Sequence, residues 1–254
     1  MLQLSEIIRC LGNARCRFDI DLLDCCSSTN AVLLTRAESG TASGTVLIAE
    51  TQTAGRGRRG RQWVSGAGDS LTFSLLWRFV PGTVPIGLSL AVGLAVAQAL
   101  EKVDAGKTAL KWPNDLLRDG RKLGGILVEL VPGAPHAAVI GIGLNLHLPD
   151  SMPDELKARS ATVGRVEPAA LLAGTLTALL EVLEKFSAGG FAVLLDAWTA
   201  RHAHENQPVR LLSDFAPDRE GICRGVDVDG ALLFESDGRI ERILSGEISL
   251  RGAP

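Results

Sequence analysis

Residues 109–146 read ALKWPNDLLRDGRKLGGILVELVPGAPHAAVIGIGLNL. Three β-type runs follow one another in this segment, near Ala109–Trp112, Gly124–Leu130 and Ala137–Leu146, with no helical period between them. Strands in direct succession argue against the strand–helix alternation of a doubly wound parallel sheet. Working outward, Thr45–Glu50 (TVLIAE) and Leu71–Phe79 read as further strands. The helices stand apart from them. Ala31–Ala37 follows the N-cap candidate Ser28-Thr29-Asn30, Pro85 opens a helix to about Lys102, Pro168 opens another to about Phe186, and Phe191–His202 gives a further one. The first 26 residues offer a short helix and a short strand. Beyond about residue 205 come short strands broken by Asp229-Gly230 and Asp237-Gly238, both strong hairpin signals. The pattern predicts an α+β fold: a mixed β-sheet packed with helices over residues 1–204, then a small β-barrel over 205–254.

Composition narrows the function classes. With 254 residues, 46% of them hydrophobic and 22% charged, the chain can bury a sizeable core, which excludes disordered and collagen-like readings. Twenty-six basic residues against 29 acidic ones leave a net charge of −3, so no global positive field holds it on nucleic acid or an anionic membrane. Any anion site must be local. The five cysteines, at 10, 16, 25, 26 and 223, form no C-x-x-C pair, which fits a reducing cytoplasm better than a disulfide framework or a zinc cluster. The N-terminus, with Glu6 and Arg9, lacks the apolar run of a signal peptide. Pro81, Gly82 and Pro85 interrupt the uncharged run from Phe79 to Leu100, which reads as a core helix and not a membrane span.

Three islands stand out. Gly55-Arg56-Gly57-Arg58-Arg59-Gly60-Arg61 places four arginines in seven residues. It matches G-x-G-x-x-G, but no helix follows the third glycine, and no Gly-Lys-Ser/Thr follows either, so dinucleotide-fold and P-loop readings both fail on context. What remains is a loop whose guanidinium groups can clamp phosphate or carboxylate oxygens; the bland reading is a solvated basic loop or an RNA contact. The second island is Lys111-Trp112-Pro113-Asn114-Asp115 followed by Lys122-Leu123-Gly124-Gly125, where Asn114-Asp115 alone is a common turn pair. Lys122 heads a strand whose glycines admit a ligand close to the backbone. The third, Gly141-Ile142-Gly143-Leu144-Asn145, puts two glycines on one strand face, for a planar ligand or for tight packing.

Conventional catalytic groups are sparse. The histidines at 136, 147, 202 and 204 lack metalloprotease spacing, no G-x-S-x-G elbow exists, and no cysteine lies in an island. The inventory suits chemistry that needs charge neutralisation more than a protein nucleophile. Attack of a carboxylate on a nucleotide α-phosphate is such a reaction, because two anions must meet.

Together the motifs resemble the biotin–protein ligases, also called biotin–[acetyl-CoA-carboxylase] ligases. The resemblance rests on Ser28-Thr29-Asn30, the GRGRRGR loop with Trp63, KWPNDLL at 111–117, KLGGILVEL at 122–130, GIGLNL at 141–146 and GEISLR at 246–251, and runs from about residue 20 to the C-terminus. It implies a mixed-sheet catalytic domain with an SH3-like barrel, and a reaction in which biotin and MgATP give biotinyl-5′-AMP, which then acylates a lysine of a biotin carboxyl carrier protein. By the same resemblance, Ser28, Thr29 and Gln52 hydrogen-bond the ureido ring, and Arg56 and Gly57 line the ligand. Arg58 neutralises the carboxylate and α-phosphate, and Lys122 contacts the carboxylate or the adenylate phosphate. Gly125, Gly141 and Gly143 line the biotin pocket, while Arg61 and Trp63 help bind nucleotide. Asn114 and Asn145 sit near the triphosphate and its magnesium, Asp115 meets the loop arginines or the incoming lysine, and Arg251 reaches the nucleotide or closes the site. No protein metal ligand is expected.

Two departures matter. Bifunctional relatives carry an N-terminal winged helix-turn-helix, whereas 27 residues precede Ser28 here, so no DNA binding is expected. Some relatives stack adenine on an aromatic side chain after the GIGLNL strand, and residues 147–163 contain none. A homodimer through a sheet edge is compatible with the family. The rival readings are a lipoate–protein ligase or octanoyltransferase, and a non-catalytic RNA-binding module. The arginine-dense loop and GEISLR favour biotin over the first; net charge, 4% aromatics and no tyrosine weigh against the second.

Overall fold

Strict alternation builds the centre of the molecule. In β3 (Ser70–Arg78), Leu71, Phe73, Leu75 and Trp77 point to one face, while Thr72, Ser74 and Leu76 point to the other. The computed structural model describes residues 2–252 except 65, 104, 151, 214–216 and 245–247, together with the backbone but not the side chains of 248, 249 and 251. β3 lies in a seven-stranded sheet with β1 (Asp19–Cys26), β2 (Thr45–Gln52), β4 (Ala109–Lys111), β5 (Asp115–Arg118), β6 (Arg121–Val131) and β7 (Ala134–Asn145). Their spatial order is β1-β2-β3-β7-β6-β5-β4, and only the β1–β2 pair is parallel.

The two faces are covered unequally. On one, α1 (Leu4–Leu11), α3 (Leu88–Lys102) and α5 (Pro168–Gly189) bury the odd-numbered apolar set of β3 together with Ile140, Ile142 and Leu144 of β7. Each such Leu or Ile contributes about 1.5–3 kcal/mol by leaving water. On the other face α2 (Thr29–Glu38) covers only a corner, packing Leu33 and Ala37 on Leu47, Leu76, Val131, Ala137 and Val139. Past the end of α2 this face carries Thr72, Ser74, Gly125, Leu127, Gly141 and Gly143, in register across β3, β7 and β6. Apart from Leu127, polar or absent side chains replace an apolar stripe there, and the helices leave this part of the sheet as an uncovered floor.

Ser28 caps α2, its hydroxyl accepting from Ala31 N, and Pro168 is the first residue of α5, both as the sequence predicts, while the Glu167 side chain caps α5 where the sequence pattern marks no cap. Pro85 does not open a helix. α3 begins at Leu88, because Gly87 takes φ 78° and breaks the chain direction between Pro85 and the first turn. The turn expected after Trp112 contains the short β5, and Phe191–His202 divides into a 3-10 turn, Phe191–Leu194, and the single-turn α6 (Leu195–Thr199). A short α4 (Asp154–Arg159) adds a helix that the sequence pattern does not predict.

The remaining strands, β8 (Pro208–Ser213), β9 (Arg219–Val226), β10 (Leu232–Ser236), β11 (Arg239–Ile243) and β12 (Ile248–Gly252), form an antiparallel sheet ordered β11-β10-β9-β8-β12. Asp229-Gly230 and Asp237-Gly238 sit in its turns, with Gly230 and Gly238 at positive φ. The buried Trp112 indole joins it to the main sheet, donating to Gly230 O at 3.1 Å, and the segment leading into it is held by Leu110 of β4, which exchanges backbone bonds with Arg201 and Ala203. Among the described residues no helix is long and apolar enough to cross a membrane.

Candidate active site

The uncovered floor is the base of an open, concave cleft lined by residues of the Gly/Arg segment, α2 and the main sheet. Glycine is required at two points of it. A Cβ on Gly141 would overlap Asn30 Oδ1, and one on Gly143 would overlap the Trp63 ring. At the α2 end a polar network lines the wall. Gln52 Oε1 accepts from Thr29 N at 2.7 Å and from the Thr29 hydroxyl at 3.2 Å, and the Ser74 hydroxyl lies 2.7 Å from Thr29 Oγ1 and 2.6 Å from Asn30 Oδ1. Ser28, Thr29, Asn30 and Ser74 are all buried, so this wall offers a polar ligand fixed hydrogen-bonding groups inside a dry setting.

The Gly/Arg segment is ordered over this floor. Ala54 N donates to Ser27 O, Trp63 N to Gly55 O and Gly57 N to Arg61 O, closing a narrow loop around a turn at Arg58–Gly60 in which Arg59 has φ 59°. Trp63 folds back beneath it, its indole N–H 3.4 Å from the Thr72 hydroxyl and its ring against Gly143. Arg58 donates to Asn114 Oδ1 at 3.1 Å. Burial pulls its guanidinium below the usual range, Asp115 opposes that, and Arg59 and Arg61 reinforce it. A desolvated cation crowded by two like charges gains from any anion that enters.

Asp115 sits between two ammonium groups. Its Oδ1 accepts from Lys122 at 2.6 Å and its Oδ2 from Lys111 at 3.4 Å. Burial by itself would raise this carboxyl, but the two lysines outweigh burial and hold it below the ordinary range. Asp115 is therefore ionised and a poor proton acceptor. Among the described residues the cleft is lined by four arginines and two lysines, namely Arg56, Arg58, Arg59, Arg61, Lys111 and Lys122, against the single carboxylate of Asp115. Its field favours a multiply charged anion. No group of three or more His, Cys, Asp or Glu is gathered as a cation cage among the described residues.

Ser28, Thr29, Gln52, Arg56, Gly57, Arg58, Arg61, Trp63, Asn114, Asp115, Lys122, Gly125, Gly141 and Gly143, separated by up to 115 positions, all line this one cleft. Of the expected nucleotide contacts, one stands elsewhere and one falls outside the described residues. Asn145 does not line the cleft; its amide donates to Lys122 O and Ala161 O, both at 3.1 Å, and so fastens the end of β7. The Arg251 side chain lies outside the described residues, as do 246 and 247 of GEISLR, although Leu250 reaches the cleft. Trp63, expected with the nucleotide, packs on the glycine floor. The sequence reading gives no role to Asn30, Thr72, Ser74 and Lys111, nor to Glu129, which accepts from Arg56 at 2.7 Å and from Asn30 at 2.9 Å. Ser70, Thr72 and Ser74 alternate with apolar residues like any solvent-facing strand, so only the lone carboxylate in KLGGILVEL is a usable signal.

Comparison with known proteins places this geometry. Residues 22–145 match the biotin/lipoate A/B protein ligase family and residues 204–251 the biotin protein ligase C terminal domain. The chain is 42% identical to the bifunctional ligase/repressor BirA of Escherichia coli K12, over 92% of this chain and 74% of that protein. It is 34% identical to the biotin–[acetyl-CoA-carboxylase] ligase of Paracoccus denitrificans, over 89% of this chain and 98% of that one. Among solved structures, the biotin protein ligase from Aquifex aeolicus in complex with biotin and ATP superposes with a TM-score of 0.81 at 31% identity, covering 92% of this chain and 99% of that one.

Proposed function

The chain belongs to the biotin protein ligase family, and on that premise we propose which of its residues carry each step. The enzyme activates biotin with ATP to biotinyl-5′-AMP and transfers the biotinyl group to a lysine of a biotin carboxyl carrier protein. In the first step a biotin carboxylate oxygen attacks the α-phosphorus of ATP and pyrophosphate leaves. In the second, the carrier amine attacks the acyl carbon and AMP leaves.

One observation carries the assignment: the bare floor of Gly125, Gly141 and Gly143 adjoins the cationic rim of Arg58 and Lys122. A flat bicyclic ring on the floor, against Trp63, points its acid chain at that rim. Ser28, Thr29 and Gln52 hold the ureido group, with Arg56 and Gly57 along the ligand's flank. Arg58 bridges the carboxylate and the α-phosphate, Lys122 takes the adenylate phosphate, and Arg61 and Asn114 face the polyphosphate. Magnesium belongs to the MgATP substrate in this scheme. Trp63 is assigned to biotin more than to nucleotide because its ring lies on Gly143. Asn145 acts on the nucleotide through the strand end it fastens, and Arg251 closes the site from the C-terminal sheet. As Lys122 turns to the adenylate, Lys111 keeps Asp115 ionised, ready to orient the incoming ammonium before it sheds its proton to solvent.

The finer claims follow the same lines. We divide the chain at 204/205, where the second sheet takes over. The five free thiols suit a cytoplasmic setting. α1 belongs to the catalytic unit, since it buries Ile7 and Leu11 in the main core. If two copies pair, β1 is the candidate edge, because β4 is already covered by residues 201–203.

The test is transfer of labelled biotin to a purified carrier domain with MgATP, beside Arg58→Ala. Transfer by the wild type, lowered at least about 100-fold in the variant (about 3 kcal/mol of lost transition-state stabilisation), is expected. No transfer and no biotinyl-AMP by mass spectrometry, with turnover of lipoate or octanoate instead, would overturn the reading.

A further inference from the structure

Glu129 is a carboxylate at the edge of a site built for anions, where it should repel the ligand unless its charge is taken up. It stands on β6 on the same face as Gly125 and Leu127, with its side chain 21% exposed. Each of its oxygens has a separate partner. Oε1 accepts from Arg56 Nη2 of the Gly/Arg loop at 2.7 Å, and Oε2 accepts from Asn30 Nδ2 of α2 at 2.9 Å. Asn30 is 3% exposed, its Nδ2 also donates to Leu127 O at 3.2 Å, and its Oδ1 lies against the Ser74 hydroxyl. From Ser74 the network continues to Thr29 and Gln52. One carboxylate thus joins the roof of the cleft to its polar wall.

We propose that Glu129 is a positioning residue that latches the Gly/Arg loop shut through Arg56 while fixing Asn30 in the wall. The inference rests on the biotin-ligase reading of the site. Arg56 then serves the reaction through its tie to Glu129 and through its backbone, leaving anion recognition to Arg58 and Lys122. When the loop lifts, Glu129 loses its cation, and an uncompensated carboxylate at the rim disfavours an anionic ligand. Ligand binding and loop closure therefore favour each other. The consequence is retention: the adenylate stays under the loop until the carrier arrives.

The experiment compares wild type, Glu129→Gln, Arg56→Gln and the double variant. Glu129→Gln keeps an acceptor for Asn30 but loses the ion pair; Arg56→Gln breaks the pair from the loop side without touching Asn30. The readout is the release rate of preformed biotinyl-AMP, set against the rate of its formation and with the thermal midpoint as a check on folding. Each single variant should release adenylate about fivefold faster, Glu129→Gln should form it within about threefold of the wild-type rate, and the double variant should release it no faster than either single one. Unchanged release in either folded single variant, or multiplied effects of about 25-fold in the double, would overturn the latch. If Glu129→Gln does not fold, Arg56→Gln alone decides the matter by the same release rate. Failure of the wild type to form any adenylate would instead sink the ligase reading, and the latch with it.

Discussion

The two sheets of this protein treat charge in opposite ways. In the C-terminal sheet arginines and carboxylates pair across exposed strands: Arg219 with Glu241, Arg224 with Glu235, Arg210 with Asp218, and Arg242 with both Asp227 and Asp229. Over the main sheet six cations, four of them on the Gly/Arg loop, surround one lining carboxylate among the described residues, above a floor rich in glycine. The first arrangement is balanced within itself and asks for no further partner. The second holds an excess of positive charge over bare backbone, which only an anionic ligand with a flat body can relieve. Function follows that surplus more closely than the number of charges, which is high in both.

If this contrast is right, filling the bare floor should do the most damage. Gly143→Val drives a branched side chain into the Trp63 ring. It should weaken biotin binding by calorimetric titration at least about 100-fold, or about 3 kcal/mol, with folding retained. Affinity within about threefold of wild type would break the assignment of the floor. Next comes the carboxylate among the lysines. Single-turnover measurements on Asp115→Ala should show transfer slowed about tenfold more than adenylate formation; equal losses would remove its orienting role. The seam between the sheets gives a pH effect. Burial, with His204 adding to it, pushes His202 down to about 4. Its neutral form belongs to the fold, so its share of stability is complete above the unfolded value near 6.5 and drains away as pH falls toward 4. The thermal midpoint should drop across that window, by an amount equivalent to at most about 3 kcal/mol, and the drop should shrink in His202→Gln. A flat profile would show that the seam does not hold the ring neutral. Smallest of all, Arg224→Ala in the C-terminal sheet should cost no more than about 1 kcal/mol and leave turnover unchanged. A large loss there would erase the contrast between the sheets.

Local patterns made much of this readable from the chain. Period-two alternation in Leu71–Phe79 and in residues 124–146 is visible because each strand buries one or both faces, and the serine cap of α2 and the first-turn proline of α5 are usual residue types at helix starts. β5 escapes because four residues between two turn signals carry no measurable period. Pro85 misleads because a proline suits a first helical turn, yet the glycine two residues on turns the chain. In the site, glycines and arginines are legible because both are concentrated in short stretches. Asn30, Ser74 and Glu129 are not, since each matters only through the other two, on three elements far apart in sequence. Asn145 shows the converse: it ends a glycine-marked strand, but local carbonyls use its amide.

The placement of Trp63 gives the molecule an optical property. Of its four tryptophans, Trp77, Trp112 and Trp198 are sealed in the core, and Trp63 alone is half-buried, lying on the glycine floor. A ligand that occupies that floor must displace or cover this indole, so the change in emission on binding reports a single site. The protein carries its own dye at the place where it is most useful, and occupancy can be followed in real time without a label.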